Sequence, residues 1–238
     1  MDFHYKDSGQ TMKQFLTNLQ KNYEDKITYI AKLDPMAEGI VPIIRQEDFN
    51  KINSLIKMKK IYTFKIVLGF KTDSDDVLGI IKKIDKSFFN ISNSIIIDKI
   101  IKEAENQIGT FNQEYHYFSS KRIQKRFKGK SDDSCFHSVS LYKVKQLSCT
   151  NIKIVSWLSD FISFINNVDP SQNFRQKEIE DQWLEFAKEN ESHSVSMLEM
   201  EINVSSGFFV RQFVCDLSKK LNIPLVAYEI SRTHIYRV

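Results

Sequence analysis

The chain reads as an α/β protein, on three observations. Apolar residues recur at helical spacing in several segments, among them Met12, Phe15, Leu16 and Leu19. Between these lie runs rich in β-branched and aromatic residues, such as Ile61–Phe70, which favour strands. With 42% hydrophobic residues over 238 positions, the chain has enough apolar material for a sizeable core. No apolar run is long enough to span a bilayer, and Met1–Asp7 lacks the layout of a signal peptide. Cys135, Cys149 and Cys215 are odd in number and form no CxxC pair, which points to a reducing, cytoplasmic setting. The five scattered His residues form no HxH or HxxxH pair, so no metal site is expected. A net charge of +4 fits a polyanionic partner only weakly.

The stretch Ala31–Ile43 organises the rest. Pro35 fixes its own φ and pushes Asp34 towards an extended conformation, while Gly39 permits a left-handed turn or a close backbone approach. Two readings follow: an Asp-Pro turn between elements, or a carboxylate held rigidly enough to act as a nucleophile. Upstream, Thr11 is a fair N-cap for a helix over 12–21, and Lys6 lies in the turn before it, where a solvated lysine is the plain reading. Downstream, a helix is expected from about Gln46 to Lys59, with Phe49, Ile52, Leu55 and Ile56 on one face. Strands over 61–70 and 80–84 then form a hairpin with an acidic connection. Asp73, Asp75 and Asp76 lack the Gly and terminal Glu of a calcium loop, so turn caps or an arginine partner are the better reading.

Ile97, Ile100, Ile101, Ala104 and Ile108 mark a third helix, ended by Gly109. An extended aromatic segment runs from Phe111 into Lys121–Lys130, which carries six basic side chains in ten residues. That run is either a solvated face or, with Phe127 and Tyr115, Tyr117 and Phe118, a nucleic-acid contact. Strands are expected over 138–144 and 195–204, and again from 225 to 233. Between the first two, residues 150–194 read as a helical insertion whose aromatic stripes are core. The turn at Ser205–Gly207 feeds a helix with Arg211 in its first turns. A cation at a positive helix end calls for a specific carboxylate or phosphate partner.

In order along the chain, these landmarks resemble the TruB family of pseudouridine synthases. The family's Leu-Asp-Pro-x-Ala-x-Gly stands as Leu33–Gly39, followed by Pro42. Its opening Asp-Lys-Pro-x-Gly-x-Thr is similar to Tyr5–Thr11, and its Lys-x-Tyr to Lys60-Ile61-Tyr62. Leu68-Gly69, Thr72-Asp73, Asp76 and Gly79 follow its next motif, and Ser205–Phe213 its Ser-x-Gly-x-Tyr-Ile-Arg-x-Leu. Ile230–Thr233 matches the ending Leu-x-Arg-Thr. The chain departs from the pattern at Ala31-Lys32, at Tyr29 where bacterial members have His, and at Tyr115–Arg122, which replaces Pro-Pro-x-Tyr-Ser-Ala-x-Lys.

The resemblance implies a mixed, mostly antiparallel sheet flanked by helices, with a catalytic cleft across its middle. The expected domain spans 1–238, with an arm at 111–135 over the cleft, the insertion at the periphery, and no C-terminal PUA domain. The implied reaction isomerises the uridine at position 55 in the T-loop of tRNA, without cofactor or metal. Asp34 would attack the flipped-out nucleotide at ribose C1′ or, in an older scheme, at uracil C6. Tyr62 would stack on the base, Arg211 would keep Asp34 ionised, and Asp76 would hold Arg211. Lys6, Tyr29, Lys32, Lys121, Arg122, Lys125, Arg126, Lys128 and Arg232 would contact the T-arm. The expected particle is a monomer with no membrane partner. The alternatives are a tRNA-folding chaperone of the same fold without turnover, and a basic protein–protein adaptor.

Overall fold

The computed structural model describes residues 1–91, 94–117, 119, 135–168, 170 and 173–236. Its centre is an eight-stranded sheet. In spatial order it runs β1 (Asp2–Lys6), β3 (Glu38–Arg45), β10 (Leu225–Tyr236), β4 (Lys59–Leu68), β9 (Ser194–Val204), β8 (Phe136–Lys153) and β7 (Gly109–Glu114), with β2 (Ile27–Tyr29) also paired to β3. Every pairing is antiparallel except β3 with β10, so the mixed, mostly antiparallel sheet is as expected.

Strand alternation sends neighbouring side chains to opposite faces. On β4, Tyr62, Phe64, Ile66 and Leu68 enter one core, while Val67 enters another. The first core is closed by α1 (Met12–Gln20), α3 (Ser94–Asn106) and α6 (Val210–Leu221), which contribute Phe15, Ile100 and Phe213. Thr11 caps α1 through a full capping box with Gln14.

The opposite face carries α4 (Ile154–Asn166) and α5 (Gln176–Glu189). Their aromatic stripes are core, as the spacing predicts: Trp157, Trp183 and Phe186 gather around Phe70, Phe161 packs on both tryptophans, and the cluster meets Val67, Met197 and Val226 of the sheet. The expectation of a peripheral insertion is therefore corrected. These helices form a second layer, because a sheet with an apolar patch on each face must cover both. Residues 150–153 also belong to β8 rather than to the helical segment.

Three local expectations change. The helix over 46–59 is a 3-10 turn, Gln46–Lys51, followed by the short α2, Ile52–Leu55. The i, i+3 spacing of Phe49, Ile52 and Leu55 suits the tighter winding, which leaves Ile56 exposed. The strand over 61–70 breaks at Gly69, whose φ of +90° and contact with the Phe89 ring exclude a side chain. The chain then forms a separate hairpin, β5 (Phe70–Thr72) with β6 (Ile81–Ile84), joined by the acidic turn. Gly109 opens β7 instead of ending α3.

If the second layer is integral, Trp183→Ala lowers global stability by about 3–5 kcal/mol in one cooperative transition. Urea denaturation followed by circular dichroism measures it. A separate early transition that leaves the sheet intact would contradict an integral layer.

Candidate active site

Three charged side chains from three distant parts of the sequence meet at the open end of the first core. Arg211 is the second residue of α6 and projects from the turn capped by Phe209. Its Nη2 donates to Asp34 Oδ2, and its Nη1 donates to Asp76 Oδ2 at 3.1 Å. The cation at the positive helix end therefore has carboxylate partners. Burial falls from Asp76 (5% exposed) through Arg211 (11%) to Asp34 (34%), so Asp34 is the member that faces out. It lines a cleft with Lys32, Leu33, Tyr62, Phe208, Phe209 and Ile230.

One arginine between two carboxylates leaves a net negative charge, and the environment distributes it unequally. Burial pushes the Asp34 carboxyl up, but Arg211, Lys32 and His116 outweigh it and hold Asp34 below the usual carboxylate range. For Asp76 burial wins, and the Asp34 charge adds to it, so this carboxyl is pushed up despite Arg211 and Ser74. The pair separates into one firmly ionised carboxylate at the cleft and one deeper carboxylate that fixes the arginine. Ser74 Oγ donates to Asp76 Oδ1 at 2.7 Å, and the Leu78 N–H donates to it at 3.0 Å. The rest of the acidic turn is also engaged: Asp73 takes two hydrogen bonds from Arg175, and Asp75 faces His116 at 3.1 Å. Among the described residues, no group of three or more His, Cys, Asp and Glu side chains is arranged to hold a metal ion.

The loop that carries Asp34 is fastened from below by two buried cations. Lys6 Nζ donates to the carbonyls of Ala37 at 2.6 Å and Asp7 at 3.0 Å. Arg232 donates from Nε to the Ile40 carbonyl at 2.6 Å and from Nη2 to Ala31 at 2.8 Å, gripping the loop on both sides of Asp34. Gly39 makes this possible, since a Cβ there would lie 2.3 Å from the Arg232 carbonyl and its φ is +115°. Lys6 and Arg232 are 0% and 1% exposed, so neither presents charge to a nucleic acid, and their expected T-arm role is corrected. The signal was available for Arg232: alternation from Ile230 turns it inward. Lys6 continues the strand Asp2–Lys6 and ends it facing inward, where a turn was expected.

Lys32 is exposed at the rim of the cleft, as a phosphate contact requires. Tyr62 is buried with its ring on the cleft wall and its hydroxyl 3.4 Å from Arg232 Nη1. Tyr29 packs half-buried against the first core, outside the set of residues that lines the cleft. Lys121, Arg122, Lys125, Arg126 and Lys128 lie outside the described residues. His116 and Gln113, both buried next to these elements, were not anticipated, because a lone His or Gln in an extended run carries no spacing signal.

A family model described as TruB family pseudouridylate synthase (N terminal domain) matches residues 17–173. The chain belongs to this family. Its relatives include the tRNA pseudouridine synthase B of Ligilactobacillus salivarius, 23% identical over 231 residues, which cover 96% of this chain and 64% of that protein. Another, from Clostridioides difficile, is 26% identical over 161 residues, covering 67% of this chain and 52% of the relative. The chain thus spans less than two thirds of the length of these relatives. Among solved structures, a chain of a Cbf5-Nop10-Gar1 complex superposes with a TM-score of 0.55 at 14% identity, covering 97% of this chain and 47% of that one. A chain of an H/ACA RNP bound to a substrate RNA containing 2′-deoxyuridine gives 0.52 at 12% identity, covering 97% and 45%. These superpositions establish the pseudouridine synthase fold.

Burial holds Lys6 down at about 8, against 10.5 for a free lysine, with Asp34 partly offsetting the effect. Its folded value lies below its unfolded value, so the charged amine opposes folding. Stability therefore rises as pH increases from about 8 to 10.5. In Lys6→Met that rise is absent, as read by denaturant midpoints across this range. An unchanged slope would place the titration elsewhere.

Proposed function

We propose that this chain isomerises uridine to pseudouridine in the T-loop of tRNA, at position 55, with Asp34 as the nucleophile. The observation that carries this reading is a single ionised carboxylate, held by Arg211 and exposed at a cleft walled by Tyr62. A nucleophile must be charged at neutral pH and rigidly aimed. Arg211 supplies the charge state, while Lys6 and Arg232 supply the rigidity.

The target nucleotide leaves its stack and enters the cleft, at a cost of about a few kcal/mol. Tyr62 stacks on the base. The Asp34 oxygen bonds to ribose C1′ as the C1′–N1 bond breaks, and uracil leaves as its anion. The base turns within the cleft, C5 bonds to C1′, and the Asp34 ester bond breaks. N1 takes a proton and C5 loses one to solvent, so atoms and charge balance with no redox partner. Lys32 at the rim and the basic run 121–130 grip the T-arm phosphates, which makes binding steeply salt-dependent. The names of the relatives, each a tRNA pseudouridine synthase B, support tRNA as the substrate.

Single-turnover tritium release from a T-arm minihelix labelled at uracil C5 tests the reading. Wild type is expected to release label into water, and Asp34→Asn to lose at least about 10³-fold in rate while still binding. Binding without release by wild type would favour the chaperone of the same fold. Absence of binding would remove tRNA as the partner.

A further inference from the structure

The root of the arm, where the chain leaves β7 and re-enters β8, is fastened to both elements that orient the candidate nucleophile. Gln113 is buried and forms a two-way clamp on Phe209, donating to its carbonyl at 3.0 Å and accepting from its N–H at 2.8 Å. Phe209 is the cap of α6, two residues before Arg211. Tyr115 lies flat on His137, with ring centres 4.2 Å apart, and both rings meet Phe209 edge-on. His137 Nε2 donates to the Gly207 carbonyl at 2.9 Å. These contacts lock the root to the turn that launches Arg211.

His116 makes the second connection. It is buried, and its Nε2 lies 3.1 Å from Asp75 Oδ2. Asp75 adjoins Asp76 and has a left-handed backbone, φ 55°, which a non-glycine residue holds only when its surroundings enforce it. Its carbonyl accepts from the Ala227 N–H at 3.0 Å, so the turn is held at the backbone by β10 and at the side chain by the arm. Burial pushes the Asp75 carboxyl up, but His116, Cys215 and Lys71 together hold it low, so it accepts from the imidazole as a carboxylate. The mechanism above makes no use of His116. Where the family pattern has two prolines, this chain has Tyr115 and His116, and both are built into these contacts.

We propose that His116 is a positioning residue: by gripping Asp75 it fixes the turn that presents Asp76 to Arg211, and so sets the alignment of Asp34. The inference rests on Asp34 being the reacting carboxylate.

The test combines His116→Phe, His116→Gln, Asp75→Asn and the double variant His116→Phe/Asp75→Asn, each checked for folding by thermal melting. Single-turnover rate and dissociation constant are measured on the T-arm minihelix. His116→Phe should slow turnover roughly tenfold with affinity unchanged within about twofold, as misalignment acts on rate and not on grip. His116→Gln keeps an N–H donor and should recover most of the rate. The double variant should be no slower than the slower single one. A wild-type rate in His116→Phe, an effect on affinity alone, or additive losses would overturn the proposal. If wild type shows no turnover, the fault lies with the proposed reaction, and the nitrogen NMR signals of the Arg211 guanidinium still decide the coupling. They should shift and broaden in His116→Phe, and identical spectra would overturn it.

Discussion

Arg211 divided between Asp34 and Asp76 is the interaction on which the rest of the structure depends. A guanidinium can serve two carboxylates at once because its donors fan out in a rigid plane. Asp76 is the deeper anchor, satisfied also by Ser74 and by the Leu78 amide, so it fixes the plane of the guanidinium. Asp34 takes the remaining edge and keeps its other side open to the cleft. Removing Arg211 would leave two carboxylates uncompensated, which explains how residues 34, 76 and 211 are bound into one constraint despite their separation along the chain.

The fold meets this constraint from below as well. Lys6 from β1 and Arg232 from β10 enter the Asp34 loop from two sides and bind its carbonyls rather than any solvent-facing anion. A backbone pinned by two buried cations resists rotation, and a carboxylate on it stays aimed. The Asp34 charge in turn partly offsets the effect of burial on Lys6. Gly39 is the steric condition for this arrangement, since only a residue without Cβ lets β3 pass so close to β10.

Much of this was legible in the sequence. Residue types left Asp34 as a turn or a nucleophile, Asp76 as a turn cap or an arginine partner, and Arg211 in need of an anion; the resemblance joined the three, and they do meet. Thr11 and the stripes of Trp157 and Trp183 also predicted their own surroundings. What failed was the environment of cations. Lys6 and Arg232 look like any basic residue near a nucleic-acid site; alternation from Ile230 turns Arg232 inward, but only the strand pairing shows the same of Lys6. The second layer was misplaced for a similar reason: helical spacing shows that a stripe is buried but not which face of the sheet it covers. His116 was silent because its meaning lies wholly in a partner 41 residues away.

The most direct test is a carboxyl-carbon NMR titration of Asp34 in the wild-type protein. A midpoint below the ordinary aspartate value of about 3.9 is predicted, since Arg211 and Lys32 outweigh burial there. A midpoint at or above that value would mean that the arginine does not hold Asp34 ionised, and the carboxylate would lose its claim to be the nucleophile.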